Sequence, residues 1–363
     1  MVSSTRFRSY SPPKPESLFE RRRRWCMLLQ EKDYYPLISE VLALEIPKYP
    51  NSTVFLPSSR PTILRECFNI LCSASSVLSA AITGTLSTQI LHDPALQSEY
   101  KKLSDRACVQ PSIYIHLLTS PTGTPPTPSQ YLLIRSTIQN YISPSPSPNR
   151  PAWLVDTVSL PIATYLASAD GFRKYLSPSG DVDDISPRRI STLSTLCTGI
   201  STLCTSLPAS QPLPFAPAEC GYARDAHARI AQHRARRSSN YIMNLMEDVC
   251  GYLFSKGMLE HKFEWRAWVV YLVFGAEQAG VAEMLVSGLM QVWVEGGGGV
   301  NGVPAGLSTA SAGRVERGEW DGWKEWVRGN SGLVREMEGQ RGKVKRYGLG
   351  KEEEVALREA LRE

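Results

Sequence analysis

From Cys67 to Leu91 the chain carries no charged side chain. A run this long must either cross a bilayer or be buried by the rest of the protein. It also holds Asn69, Thr83, Gly84, Thr85, Thr88, Gln89 and five serines, which lowers its hydropathy below that of a spanning segment. A second apolar run, Trp268 to Val294, is broken by Glu277, Gln278 and Glu283. Both runs therefore predict buried helices in a soluble protein. With 363 residues and 42% hydrophobic side chains, the chain can enclose one large core or two smaller ones.

Helical periodicity recurs and strand alternation is scarce. Leu37, Ile38, Val41, Leu42 and Leu44 follow helix spacing after Pro36. Ile63, Leu64, Cys67, Phe68, Ile70 and Leu71 open a helix or helix pair after Pro61. Further helices are expected around Tyr131 to Ile138, Trp153 to Leu166 (interrupted by Pro161), Ile190 to Leu207 and Glu352 to Arg362. The clearest is Tyr241 to Leu253, where Ile242, Leu245, Met246, Val249 and Leu253 form one stripe. Glu264 to Ala279 and Val281 to Val294 read as two more apolar helices. The expected class is all-α, a multi-helix array with Pro/Ser- and Gly-rich loops and no significant sheet.

Proline-serine loops fall at 119–130, 143–151 and 207–218, and a glycine-rich one opens at Gly296 to Gly299. The expected organisation is a disordered segment at 1–15, a helical region at 16–206, a Pro-rich connector at 207–219 and a second helical region at 220–363. The two helical regions are allowed to pack as one domain. Arg6 and Arg8 hint at a presequence, which Pro12, Pro13, Pro15 and Glu16 argue against.

Catalytic signatures are sparse. The glycine run lacks the Lys-Ser/Thr pair of a phosphate loop, so it reads as a flexible loop. Asp181, Asp183 and Asp184 could hold magnesium in an all-α enzyme, but they sit in loop-like sequence, where Asp184 or Ser186 is expected to cap the next helix. The five histidines show no zinc spacing. His227 and His233 lie in HARIAQHRARR, which reads as a solvated basic helix face with no carboxylate to orient a histidine. The eight cysteines include no CxxC pair and read as reduced, mostly buried thiols. No cofactor is expected and no enzymatic activity is assigned.

Two motifs suggest contacts. Arg21, Arg22, Arg23 and Arg24 form the densest basic run, a candidate nuclear import signal. The alternative is a helix with its arginines in water and Trp25, Met27 and Leu28 inward. Trp320, Trp323 and Trp326, at a spacing of three, fall on one side of a helix and can anchor it to the core or to a partner.

Two regions resemble the helical regulatory region of fungal zinc-cluster (Zn2Cys6) transcription factors. The first is Tyr34 to Ile115, a tyrosine-bearing helix, then ILCSASSVLSAAITGTLSTQIL, then SEYKKLSDRA. The second is WRAWVVYLVFGAEQA, with Trp265, Trp268, Gly275, Ala276 and Glu277 on what the family makes one helix, followed by WDGWKEWVR. The resemblance implies close helix approach at Gly275 and Ala276 and a polar partner for Glu277. Only Cys26 lies in the first 60 residues, where a zinc cluster would need six cysteines, and the arginine that often follows the Gly-Ala-Glu helix is missing. The implied function is a nuclear regulatory protein without its own DNA-binding unit. It would work through protein partners, with no sequence-specific DNA binding and no membrane, and could accept a small-molecule effector. The alternatives are a cytoplasmic helical scaffold unrelated to transcription and the metal-dependent enzyme.

Overall fold

The computed structural model describes residues 16–50, 55, 60–143, 150–159, 173–179, 184–237, 240–307 and 310–362. The chain opens with α1 (Leu18–Gln30) and α2 (Tyr34–Glu45). Ser17 starts α1 through a capping box: its hydroxyl accepts from Glu20 N, and the Glu20 carboxylate accepts from Ser17 N at 2.8 Å. The uncharged run becomes α3 (Arg60–Cys72) and α4 (Ser76–Thr83), bent by 101° where Ser75 caps α4. The bend lets Ile63, Phe68, Ile70, Val77 and Leu78 all reach the core. No single helix among the described residues is long and apolar enough to cross a membrane; this bent pair passes that test only when its two helices are taken together.

There follow α5 (Leu86–Gln89), α6 (Pro94–Arg106), strand β1 (Ser112–Thr119), α7 (Pro128–Ile142), α8 (Arg150–Thr157) and α9 (Pro187–Cys204). Strand β2 (Ala218–Ala223), α10 (Ala226–Arg234), α11 (Tyr241–Ser255) and strand β3 (Glu264–Leu272) come next. The C-terminal part is α12 (Gln278–Met290), α13 (Arg317–Asn330), α14 (Leu333–Lys343) and α15 (Lys351–Ala360).

The class is mostly α, and the expectation of no significant sheet is corrected: the strands form an antiparallel sheet in the order β2-β1-β3. His116 faces Glu219 on one side and Ala267 on the other, with a register irregularity at Ile113/Tyr114. Every residue of β1 is buried, so SIYIHLLT shows no alternation and reads like a core helix. The same ambiguity hides β3. Its Val269, Val270 and Tyr271 suit a strand, but only the β1 partner decides between the two forms.

WRAWVVYLVFGAEQA is therefore a strand and a turn rather than one helix. Gly275 meets nothing closer than Gln278 Cβ at 3.8 Å, and Ala276 and Glu277 are exposed. The buried polar residue is Gln278, whose amide accepts from Phe274 N and donates to Glu66 at 3.2 Å. Close helix approach occurs at Gly288 instead, where a Cβ would stand 2.8 Å from Val41 and Glu45 on α2.

The sheet joins both sequence regions. Two apolar cores, one built mainly from α2, α3, α4 and α12 and the other from α7, α9 and α11, each draw side chains from before and after 207–219. Within that connector Leu213 and Phe215 are buried. The glycine run is packed rather than free: Gly297, Gly298 and Gly299 are buried, and a Cβ on Gly199 would lie 2.5 Å from Gly297 N. Only glycine permits α9 to approach that backbone so closely, and Gly297 takes φ +66 there. The C-terminal helices return to the N-terminus through Tyr35 to Glu353 at 2.6 Å, Lys32 to Glu336 at 2.7 Å and Tyr347 to Asp33 at 2.7 Å.

Candidate functional site

Alternation along β1 puts Tyr114 and His116 on one face of the sheet and Ile113 and Ile115 on the other. The antiparallel register brings Glu219 opposite His116 and Gly221 opposite Tyr114. A side chain at Gly221 would collide with the Tyr114 hydroxyl, so the tyrosine ring can lie over β2 only because that residue is glycine. Asp225 caps α10 by accepting from Ala228 N at 2.9 Å, and the helix then carries Arg229 and His233, four residues apart, onto this face.

The result is a buried cluster of three rings and a carboxylate. His116 Nδ1 lies 2.8 Å from Glu219 Oε2, and His233 Nε2 lies 3.3 Å from the Tyr114 hydroxyl. The two imidazole centroids are 4.8 Å apart. Among the described residues each histidine keeps one buried nitrogen without a hydrogen-bond partner, Nε2 of His116 and Nδ1 of His233. Burial holds His233 down to about 4, against the opposing pull of Glu219, with His116 and Arg229 adding to the depression. Burial also raises Tyr114. On α12, burial lifts Glu283 to about 7, although it accepts from Gly306 N at 2.9 Å.

This placement corrects the reading of HARIAQHRARR as a solvated face without a carboxylate. His227 and Arg234 are exposed, but His233 turns inward, and the carboxylate near it, Glu219, comes from strand β2. The sequence signal was slight: His116 and Glu219 are polar residues inside apolar stretches, where burial demands a partner.

A second interior cluster centres on Asp248 of α11, which is fully buried. Its carboxylate accepts from Ser159 at 2.7 Å, from Lys174 at 3.0 Å and from the Tyr175 hydroxyl in a short bond, and it pairs with Arg236 at 2.7 Å. Lys174 also reaches Asp156 O at 2.8 Å, while Asp156 accepts from Tyr141 and Arg173 N, each at 2.6 Å. Burial raises Asp156 to about 6, and the Tyr141, Lys174 and Arg173 donors hold it down in part. Burial likewise lowers Lys174.

The other expected site residues are scattered. Trp265 donates its indole N–H to Met243 O at 3.0 Å, and Trp268 is buried in the first core. Trp320 and Trp323 are buried edge to face at 5.0 Å, and Trp326 lies half-buried under Arg106, so all three face their own protein. Of the arginine run, Arg22 is buried over the Phe215 ring and donates to Ile82 O at 3.2 Å, which corrects the picture of four arginines in water. Arg24 pairs with Glu16 and Glu40, Arg21 approaches Glu16 at 3.6 Å, and Arg23 is exposed. Met27, expected inward, is 54% exposed. Asp181 and Asp183 lie outside the described residues; Asp184 accepts from Ser179 at 2.6 Å, and Ser186 caps α9. All eight cysteines are free, six of them buried.

Comparison with family models, with characterised proteins and with solved structures finds no match.

Proposed function

We propose that this chain is a regulatory interaction protein that acts through protein–protein contacts. The observation that supports this reading is where its polar chemistry sits. The His116 and Asp248 clusters are interior and tie elements to one another, leaving helix faces as the accessible surface. Two surface cavities hold about 190 and 250 Å³, against roughly 300–1,000 Å³ for sites that enclose a small molecule. The transcriptional setting, and with it a nuclear location, rests on the resemblance at SEYKKLSDRA and WDGWKEWVR. The strand at Trp265 removes the helical form which that resemblance gave to WRAWVVYLVFGAEQA.

Reporter activation by the chain fused to a foreign DNA-binding domain, with nuclear enrichment of the tagged protein, is the expected result. Exclusively cytoplasmic location with no reporter effect overturns the transcriptional setting and leaves a cytoplasmic scaffold. For location, Arg23→Ala with Lys345→Ala and Arg346→Ala is the informative variant, because these three are exposed while Arg22 and Arg24 hold structure.

A further inference from the structure

Strand β3 is an outer strand of the sheet, whose order is β2-β1-β3. A strand at an edge turns half of its backbone groups away from the sheet, where they can pair with another strand. Which groups those are follows from β1. Leu118 N donates to Pro217 O on the β2 side at 2.9 Å, and Val273 N donates to Pro111 O on the β3 side at 2.8 Å. Alternation therefore directs the odd-numbered residues of β1 towards β3. Glu264 and Arg266, opposite Thr119 and Leu117, turn their backbone groups inward. Trp265 and Ala267, opposite Leu118 and His116, turn theirs outward.

The outer edge has two unlike halves. Residues 268–272 are buried, and the Tyr100 hydroxyl of α6 faces the Val269 backbone. Residues 264–267 are exposed or half-buried, and among the described residues no backbone–backbone hydrogen bond reaches Trp265 or Ala267 from beyond the sheet. The side chains of this open half are charged. Arg266 has no ion pair or hydrogen bond among the described residues. Glu264 pairs with Lys262 at 2.8 Å, but both are about half exposed, so that pair holds it weakly.

An edge with an acid and a base two residues apart complements its own reversed copy. When two β3 strands run antiparallel about a two-fold axis at Trp265, the outward backbone groups of the two Trp265 residues bond to each other. Glu264 of each copy then stands directly opposite Arg266 of the other, close enough for an ion pair, and symmetry makes the contact twice. The neighbouring registers are worse. An axis at Arg266 sets the two arginines against each other, and an axis at Ala267 brings Trp265 to Val269, whose backbone Tyr100 already faces.

We propose that the β3 edge at residues 264–267 pairs with the same edge of a second copy of this chain, joining two three-stranded sheets into one. This self-association goes beyond the regulatory reading above and does not depend on it.

The test is sedimentation velocity of the full chain at low ionic strength, up to roughly 100 μM, a range that reveals a weak contact. The expected result is a species of twice the 40.3 kDa of one chain. Glu264→Arg alone, or Arg266→Glu alone, sets like charges opposite each other at both contacts and is expected to weaken the dimer about 10-fold or more. The swap Glu264→Arg/Arg266→Glu is expected to restore it. A wild type that stays monomeric overturns the proposal, as does a dimer indifferent to both single substitutions or a swap that stays as weak as they are. Where a variant does not fold, hydrogen exchange of the wild type decides: protection of the Trp265 amide that does not rise with chain concentration also overturns the pairing.

Discussion

Glu219 and Asp248 are both carboxylates inside the protein, beside nitrogen bases from a different part of the chain. Asp248 is surrounded: a lysine, an arginine, a tyrosine and a serine converge on it from the residues just after α8, the 173–175 turn and the residues just after α10. Glu219 has His116, and the cluster beyond it ends in two imidazole nitrogens that bond to nothing among the described residues. Burial costs both clusters desolvation, but only the first recovers it from several partners. A buried network with several charged partners serves to hold elements together, even though Asp248 Oδ1 has only its ion pair with Arg236. The cluster on the sheet has fewer partners and leaves two imidazole nitrogens unpaired among the described residues.

The difference can be broken most forcefully at Asp248. Asp248→Ala leaves Lys174 and Arg236 without their shared counter-charge and is expected to cost about 3–5 kcal/mol in urea denaturation. A loss below about 1 kcal/mol would mean that the network does not tie α8, α10 and α11 together.

Acid should separate the clusters in sign. His233 is held near 4 when folded, below its usual 6.5, so the folded state binds fewer protons between those values. Its contribution is complete above about pH 6.5 and is lost as the pH falls towards 4, on the order of 2–3 kcal/mol. Asp156 moves the other way. Folded, it titrates near 6 rather than 3.8, so it adds stability as the pH falls from 6 towards 3.8. Denaturation from pH 7 to 4, with a chelator present, should therefore show a shallower acid loss for His233→Gln and a steeper one for Asp156→Asn than for wild type. Slopes that move in the same direction would refute the contrast.

Smaller effects sharpen it. Glu219→Gln can still accept from His116 but loses the charge, and a cost of about 1–2 kcal/mol is expected from thermal denaturation. Ser159 is exposed and is one of several donors to Asp248, so Ser159→Ala should cost no more than about 0.5–1 kcal/mol. A larger loss would make the serine a principal member of its network.

Much of the helical framework was legible because its signals are local. The stripe from Ile242 to Leu253 became α11, and the run after Pro61 became the pair α3 and α4. A serine before Pro187 capped α9, as the sequence around Ser186 suggested. The glycine run differs from its composition for the complementary reason. Composition suggests freedom, whereas the backbone of α9 pressing on Gly297 removes it. The candidate site was least legible of all, since its members lie at 114, 116, 219 and 233 and share no spacing.

By itself, then, the sequence determined which segments are apolar and where several helices begin, since these follow from side-chain chemistry within a few turns of chain. Tertiary structure decided that 112–119, 218–223 and 264–272 are strands, that Arg22 and His233 point inward, and that Glu219 meets His116. A fully buried strand and a buried helix bury the same residues. What separates them is a hydrogen-bonding partner about a hundred residues away, which no local pattern encodes.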